Sequence, residues 1–176
     1  TGQTIGPGSA IITFDDGWHG SFETALPILE EKKIPSVVFL NMALVGGNNR
    51  LVSAVADFLG EKSTEFQSFA LAHKIKPPFH LSLTPILLTE FVKQNGTSWQ
   101  TEFAVFQGSF VTQEQLLFWD ENPLVNYANH LFNHWNACSL TTDEFADQFN
   151  QNETALKKFK NYISLFAFPN GQPESC

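Results

Sequence analysis

Two short stretches hold the residue types that could do chemistry. Thr13-Phe14-Asp15-Asp16-Gly17 sets two adjacent carboxylates at the end of an apolar run, and His130-Leu131-Phe132-Asn133-His134 sets two imidazoles four residues apart. Imidazoles at that spacing, on one helical turn or on a tight loop, can face a single ion. With one carboxylate they make three protein ligands and leave a position open for water, as in catalytic rather than structural zinc sites. An ion held that way lowers the pKa of water and polarises a carbonyl. Adjacent carboxylates suit a division of labour in which one ligates and the other takes a proton. Neighbouring side chains on a regular strand point to opposite faces, so the turn at Gly17 is expected to bring both to one place. Each stretch has a plainer reading by itself: a solvated turn for Asp-Asp-Gly, a chance spacing for the two histidines. The functional reading rests on both occurring together, each at the end of an expected strand.

The elements that must carry these stretches read as alternating strands and helices. Ala10–Phe14 is expected to be a buried strand. Phe22, Ala25, Leu26 and Leu29 form one face of a helix, with Ser21 as its cap and Pro27 forcing a kink or a late start. Ser36–Leu40 is a second buried strand, so the pair should be parallel, with Asp15 and Asp16 at a carboxyl end, where such sheets gather their sites. Residues 44–117 read differently, as a helical insertion within one domain spanning 1–176, lying over the mouth of the sheet. Its signals are a Gly46–Asn49 turn, apolar spacing from Leu51 to Leu59, Phe66 and Phe69, a break at Pro77-Pro78, and a helix from Thr84-Pro85 to Asn95-Gly96. Thr112 to Gln115 has the form of a capping box for a helix to Trp119. Leu124–Ala128 is the strand that delivers His130. Thr141 to Glu144 caps a longer helix with a Phe145, Phe149, Leu156 and Phe159 stripe, and Ile163–Phe168 is the last strand before the Pro169-Asn170-Gly171 turn.

Composition narrows the partners. A net charge of −8 and a pI near 5.0 argue against a nucleic-acid backbone or an anionic membrane. No apolar run approaches the ~18 residues of a membrane helix. Phe supplies 18 of 176 residues, so an aromatic core is expected. Neither an initiating Met nor a signal-peptide pattern is present, as in a processed piece of a longer chain. Cys138 and Cys176 could pair but do not settle the compartment. His73 and His80 lack partners at ligand spacing and read as packing or surface residues. Asn95-Gly96-Thr97 and Asn152-Glu153-Thr154 match the glycosylation acceptor pattern, a weak signal.

Thr13–Gly17 resembles the first motif of the polysaccharide deacetylases, a carbohydrate esterase family. His130–His134 is similar to the second motif, and Phe166-Ala167-Phe168-Pro169-Asn170-Gly171 to the third. The resemblance covers Ala10 to Leu40 and about Thr112 to Gln172. It implies an α/β fold, a distorted, incomplete (β/α) barrel of parallel strands. It also implies a divalent metal, usually zinc, and hydrolysis of N-acetyl or sometimes O-acetyl groups on an acetylated amino-sugar polymer or oligosaccharide in an extracellular, periplasmic or cell-envelope setting. Asp16, His130 and His134 would then be the metal ligands and Asp15 the general base. Asn170, after Pro169 in the substrate-facing turn, would offer its backbone N–H to an oxyanion. Trp18 and Trp135, each beside a motif, are the expected sugar-stacking residues, ahead of Trp119. Leu131 replaces the usual Ser or Thr of the second motif, and Ala167 stands where many members carry an Arg. The later motifs, which bring an aromatic wall and a general-acid His, have no candidate, and His19 is a poor substitute. Two other readings remain: an inactive metal- or glycan-binding relative of the fold, and an amidohydrolase of small molecules with a deep closed pocket.

Overall fold

The computed structural model describes residues 6, 8–47, 49–106 and 108–171. Most of the lead-in expected over Thr1–Ser9, Asn48 of the expected turn and Cys176 lie outside them; Cys138 is an exposed thiol. Four strands form one parallel sheet in chain order: β1 (Ile12–Asp16), β2 (Ser36–Leu40), β3 (Val125–Asn129) and β4 (Tyr162–Phe166). This open, sequentially ordered sheet is an incomplete (β/α) barrel. Its register places Asp16 beside Leu40, Leu40 beside Asn129, and Asn129 beside Phe166. The four carboxyl ends are therefore level, and the residues just beyond them meet in one place.

Burial follows position in the sheet. Central β2 is buried throughout, whereas β1 alternates because it is an outer strand. The buried strand expected over Ala10–Phe14 instead begins at Ile12, and Ile11 is 69% exposed. Between β1 and β2 the chain winds as a π-helix over Ser21–Ala25 and then as α1 (Leu26–Glu31). Pro27 falls in the first turn of α1, where its missing N–H costs nothing, so the late start is the one observed. Ser21 is not a cap: Gly20 holds that position without a side-chain bond.

Four helices follow β2: α2 (Val52–Lys62), α3 (Thr64–Ala72), α4 (Pro85–Asn95) and α5 (Gln100–Phe106). Thr84 accepts a hydrogen bond from the Leu87 N–H, and Gly96, at φ 74°, ends α4. Phe58, Phe66, Phe69, Phe91 and Phe103 bury one another between these helices, each burial contributing roughly 1.5–3 kcal/mol. The sequence pattern missed α5, whose apolar positions are too few to show a period. Helix α6 (Gln113–Trp119) carries the complete Thr112/Gln115 capping box. Its Leu116 and Trp119 pack with Phe22, Leu26, Val38 and Tyr127 under the sheet, so α6 belongs to the sheet layer and not to the helices before it. Trp119 is accordingly buried.

Helix α7 (Thr142–Leu156) begins with a second complete capping box, Thr141/Glu144. Leu156 and Phe159 enter the sheet core, while Phe145 and Phe149 pack on Phe166 and Phe168 beyond β4. Asn152 is fully buried with its amide hydrogen-bonded inside the protein, so it is no glycan acceptor. No described helix is long and apolar enough to cross a membrane.

Gly17 closes β1 at φ 79°, and a Cβ there would lie 2.8 Å from Leu40 Cδ2. Gly17→Ala is expected to lower stability by about 1–3 kcal/mol, through both the left-handed conformation and the clash. Urea unfolding followed by circular dichroism measures this; an unchanged midpoint would contradict it.

Candidate metal centre

The level strand ends bring Asp16, His130 and His134 together. One donor atom from each, a carboxylate oxygen and two imidazole nitrogens, falls within 4.8 Å of the others. Asp16 Oδ1 lies 3.1 Å from His134 Nε2 and 3.6 Å from His130 Nε2. A tetrahedral ion with bonds of about 2.0–2.1 Å separates its ligands by about 3.3 Å, so these spacings bracket the expected edge. Asp16 Oδ1 and His134 Nδ1 are buried without hydrogen-bond partners. A buried carboxylate oxygen left without a donor is costly unless a cation completes it. The donor set and the orphaned oxygen thus fit a divalent ion of the zinc type.

Each of these donors is oriented by local structure. Asp16 sits at φ 70°, just ahead of Gly17, so the left-handed turn starts one residue earlier than Gly17 alone implies. Asp has a modest tolerance for that conformation. The turn lets Asp15 and Asp16 line one open pocket of about 340 Å³ with His130, His134, Ser53, Phe168, Asn170 and Gly171. Asp15 is exposed there, while Asp16 is mostly covered. Trp18 Nε1 donates to Asp16 Oδ2 at 3.0 Å, leaving Oδ1 to face the imidazoles. The Trp18 ring is stacked on Phe110 with centroids 4.4 Å apart.

His130 is almost fully buried, and its Nδ1 lies 2.9 Å from the Ala167 carbonyl. A carbonyl only accepts, so Nδ1 carries the proton and Nε2 presents its lone pair to the centre, as a metal ligand must. Burial pushes the His130 pKa down, the neighbouring His134 adds to this, and the Ala167 bond and the two aspartates oppose it; the result lies below the usual 6.5. Burial raises the Asp16 carboxyl, but the adjacent imidazoles, His134 foremost and then His130, and the Trp18 indole outweigh it, so its pKa is lowered from 3.8.

The aromatic expectations need correction. Trp135 is 7% exposed and belongs to the Phe-rich core of α2–α5, because the chain after His134 turns under those helices. It offers no face to a sugar. Trp18 has one face covered by Phe110 and its N–H spent on Asp16, so it orients that carboxylate and is not an open platform. Pro169 is buried in its turn, between Phe168 and Asn170, which do line the pocket. Phe168, 43% exposed, is the aromatic ring at this opening. Its place in the third motif was the signal that could have found it. Ser53, brought in by the start of α2, carries no sequence signal. His73 stacks on Phe69 and lies 3.5 Å from Glu90, His80 lies 3.1 Å from Asp57, and His19 lies 3.9 Å from Glu23; none of them lines this pocket.

A parallel sheet presenting one carboxylate and two imidazoles at its carboxyl edge defines an α/β protein with a metal-ready centre. The chain belongs to the polysaccharide deacetylase family, whose profile matches residues 2–175. It is similar in fold to the solved structure of IcaB from Ammonifex degensii, with a TM-score of 0.50 and 18% identity over 94% of this chain and 52% of that one. It therefore spans about half the length of that protein. No curated protein matches it.

The lowered pKa of His130 has a measurable consequence for the metal-free protein. Between the folded and unfolded pKa of His130 the unfolded chain binds more protons, so stability rises with pH and falls on acidification below about 6.5. Asp16 adds a second loss as pH falls below 3.8. Urea midpoints from pH 7.5 to 5 should decline, and His130→Asn should flatten that decline; an equal slope in the variant would count against the assignment.

Proposed function

We propose that this protein is a metal-dependent deacetylase that hydrolyses N-acetyl groups on an amino-sugar polymer outside the cell or at its envelope. The observation that carries this is the convergence of Asp16 Oδ1, His130 Nε2 and His134 Nε2 beside a second, unligated carboxylate in an open pocket. A metal binder without turnover has no use for Asp15 there, and an open pocket suits a polymer better than a small molecule. Family membership and the shared fold support the same reading.

In this reading a zinc-like ion would supply electrophilic polarisation of the acetyl carbonyl and a lowered water pKa. Asp16, His130 and His134 hold that ion, with the His130 tautomer set by Ala167 and the free oxygen of Asp16 set by Trp18. Asp15 accepts the proton of the attacking water. The backbone N–H of Asn170 stabilises the oxyanion that forms at the former carbonyl. Phe168 offers its exposed ring to the sugar.

The roles separate in mutants. Asp15→Asn should keep zinc affinity within a few-fold and lower acetate release from N-acetylglucosamine oligomers by about 10²–10⁴. His134→Ala should lose both. Calorimetric zinc titration with an acetate assay reads both quantities. Full activity in Asp15→Asn would remove Asp15 as the base, and absence of zinc binding by the intact chain would remove the metal-dependent reading.

A further inference from the structure

The loop that carries both imidazoles is held in an unfavourable conformation. Leu131 has φ 61° and His134 has φ 57°, and a bulky residue such as Leu rarely occupies that region. A strained loop persists only where its surroundings over-determine it. The side chain of Leu131 is apolar and fully buried, so it brings no hydrogen-bonding group to the loop.

Two fully buried asparagines, Asn41 and Asn129, grip this loop, and a third, Asn152, holds Asn129. The Leu131 N–H donates to Asn129 Oδ1 at 3.0 Å. Asn41 Nδ2 donates to the Leu131 carbonyl at 2.8 Å and also to the His130 carbonyl. Both polar groups of the left-handed residue are thereby fixed. Asn129 Oδ1 also accepts from Asn152 Nδ2 at 2.8 Å, and Asn129 Nδ2 donates to the Phe149 carbonyl of α7 at 3.1 Å. Asn152 Nδ2 donates in addition to the Leu40 carbonyl at 2.7 Å, and its Oδ1 accepts from the Met42 N–H at 2.8 Å. The chain of amides runs from α7 through the ends of β2 and β3 to Leu131, between the two imidazoles. Asn129 and Asn152 each donate and accept at once, which an ionised carboxylate could not do, whereas Asn41 serves through its donor end.

We propose that Asn41, Asn129 and Asn152 form a positioning clamp that preorganises His130 and His134 for the metal. The inference rests on the metal-dependent reading above. These are positioning residues: they act through the loop and line no part of the pocket. Groups that orient metal ligands commonly change affinity by about 10–100-fold when removed.

The test compares zinc affinity by calorimetry with thermal unfolding of the metal-free protein. The proteins are the intact chain, Asn129→Ala, the milder Asn41→Ser, and Leu26→Ala, a buried α1 residue in a core cluster that contains none of residues 130–134. Asn41→Ser keeps a polar group but withdraws it from both carbonyls, and serves if Asn129→Ala does not fold. The clamp predicts a zinc affinity about 10–100-fold weaker in the asparagine variants and within threefold of the intact chain in Leu26→Ala, even when the metal-free proteins melt at matched temperatures. Hydrogen exchange at the Leu131 amide should quicken in Asn129→Ala more than exchange in the central strand β2. Unchanged zinc affinity in the asparagine variants, or an equal loss in Leu26→Ala, overturns the clamp while leaving the metal site standing. Absence of zinc binding by the intact chain overturns the metal-dependent reading and the clamp with it.

Discussion

The register of the parallel sheet is the constraint on which the rest depends. Asp16, Leu40, Asn129 and Phe166 end their strands at one level, so four chain segments far apart in sequence leave the sheet together. Each next residue then does a different task. Asn41 reaches the His130 carbonyl, the His130 ring reaches the Ala167 carbonyl, and Gly17 turns Asp16 inward. A one-residue slip would reverse the facing of every side chain in a strand and separate Asp16 from the two imidazoles. The buried cores on either side of the sheet serve to hold that register.

The electrostatics of the centre follow from its burial. Two nearly inaccessible imidazoles and one mostly covered carboxylate would be a poor way to stabilise a fold, since desolvation offsets much of their attraction. The protein nevertheless invests oriented groups in keeping them apart from ordinary pairing: Trp18 occupies one oxygen of Asp16, and Ala167 occupies Nδ1 of His130. What remains is a set of lone pairs aimed at one point. Among the described residues, the pocket around it is lined by two carboxylates and no Lys or Arg side chain, which favours a cation.

Aromatic residues divide into two duties that their abundance alone does not distinguish. One set closes the core of α2–α5 and takes Trp135 with it. The other, Phe145, Phe149, Phe166 and Phe168, stacks along α7 and β4 and leaves only Phe168 at the pocket. Helix α2 also reaches the centre directly, because Ser53 in its first turn lies on the pocket wall.

The sequence by itself determined the parallel α/β arrangement, the two capped helices at Thr112 and Thr141, and the pairing of Asp15-Asp16 with His130 and His134. These are local signals: a capping box, a proline or a run of β-branched residues acts on its own neighbours, and strand–helix–strand order leaves little choice of topology. It did not reveal α5, the membership of α6 in the sheet layer, or the fates of Trp18 and Trp135, since a ring beside a motif in the chain can turn either toward the pocket or under a helix. Nor did it reveal that Asn152, which matched a glycosylation pattern, is an internal hydrogen-bond junction. Those outcomes depend on which surfaces meet across separations of about a hundred residues, such as the 112 between Leu40 and Asn152, and only the tertiary packing decides them.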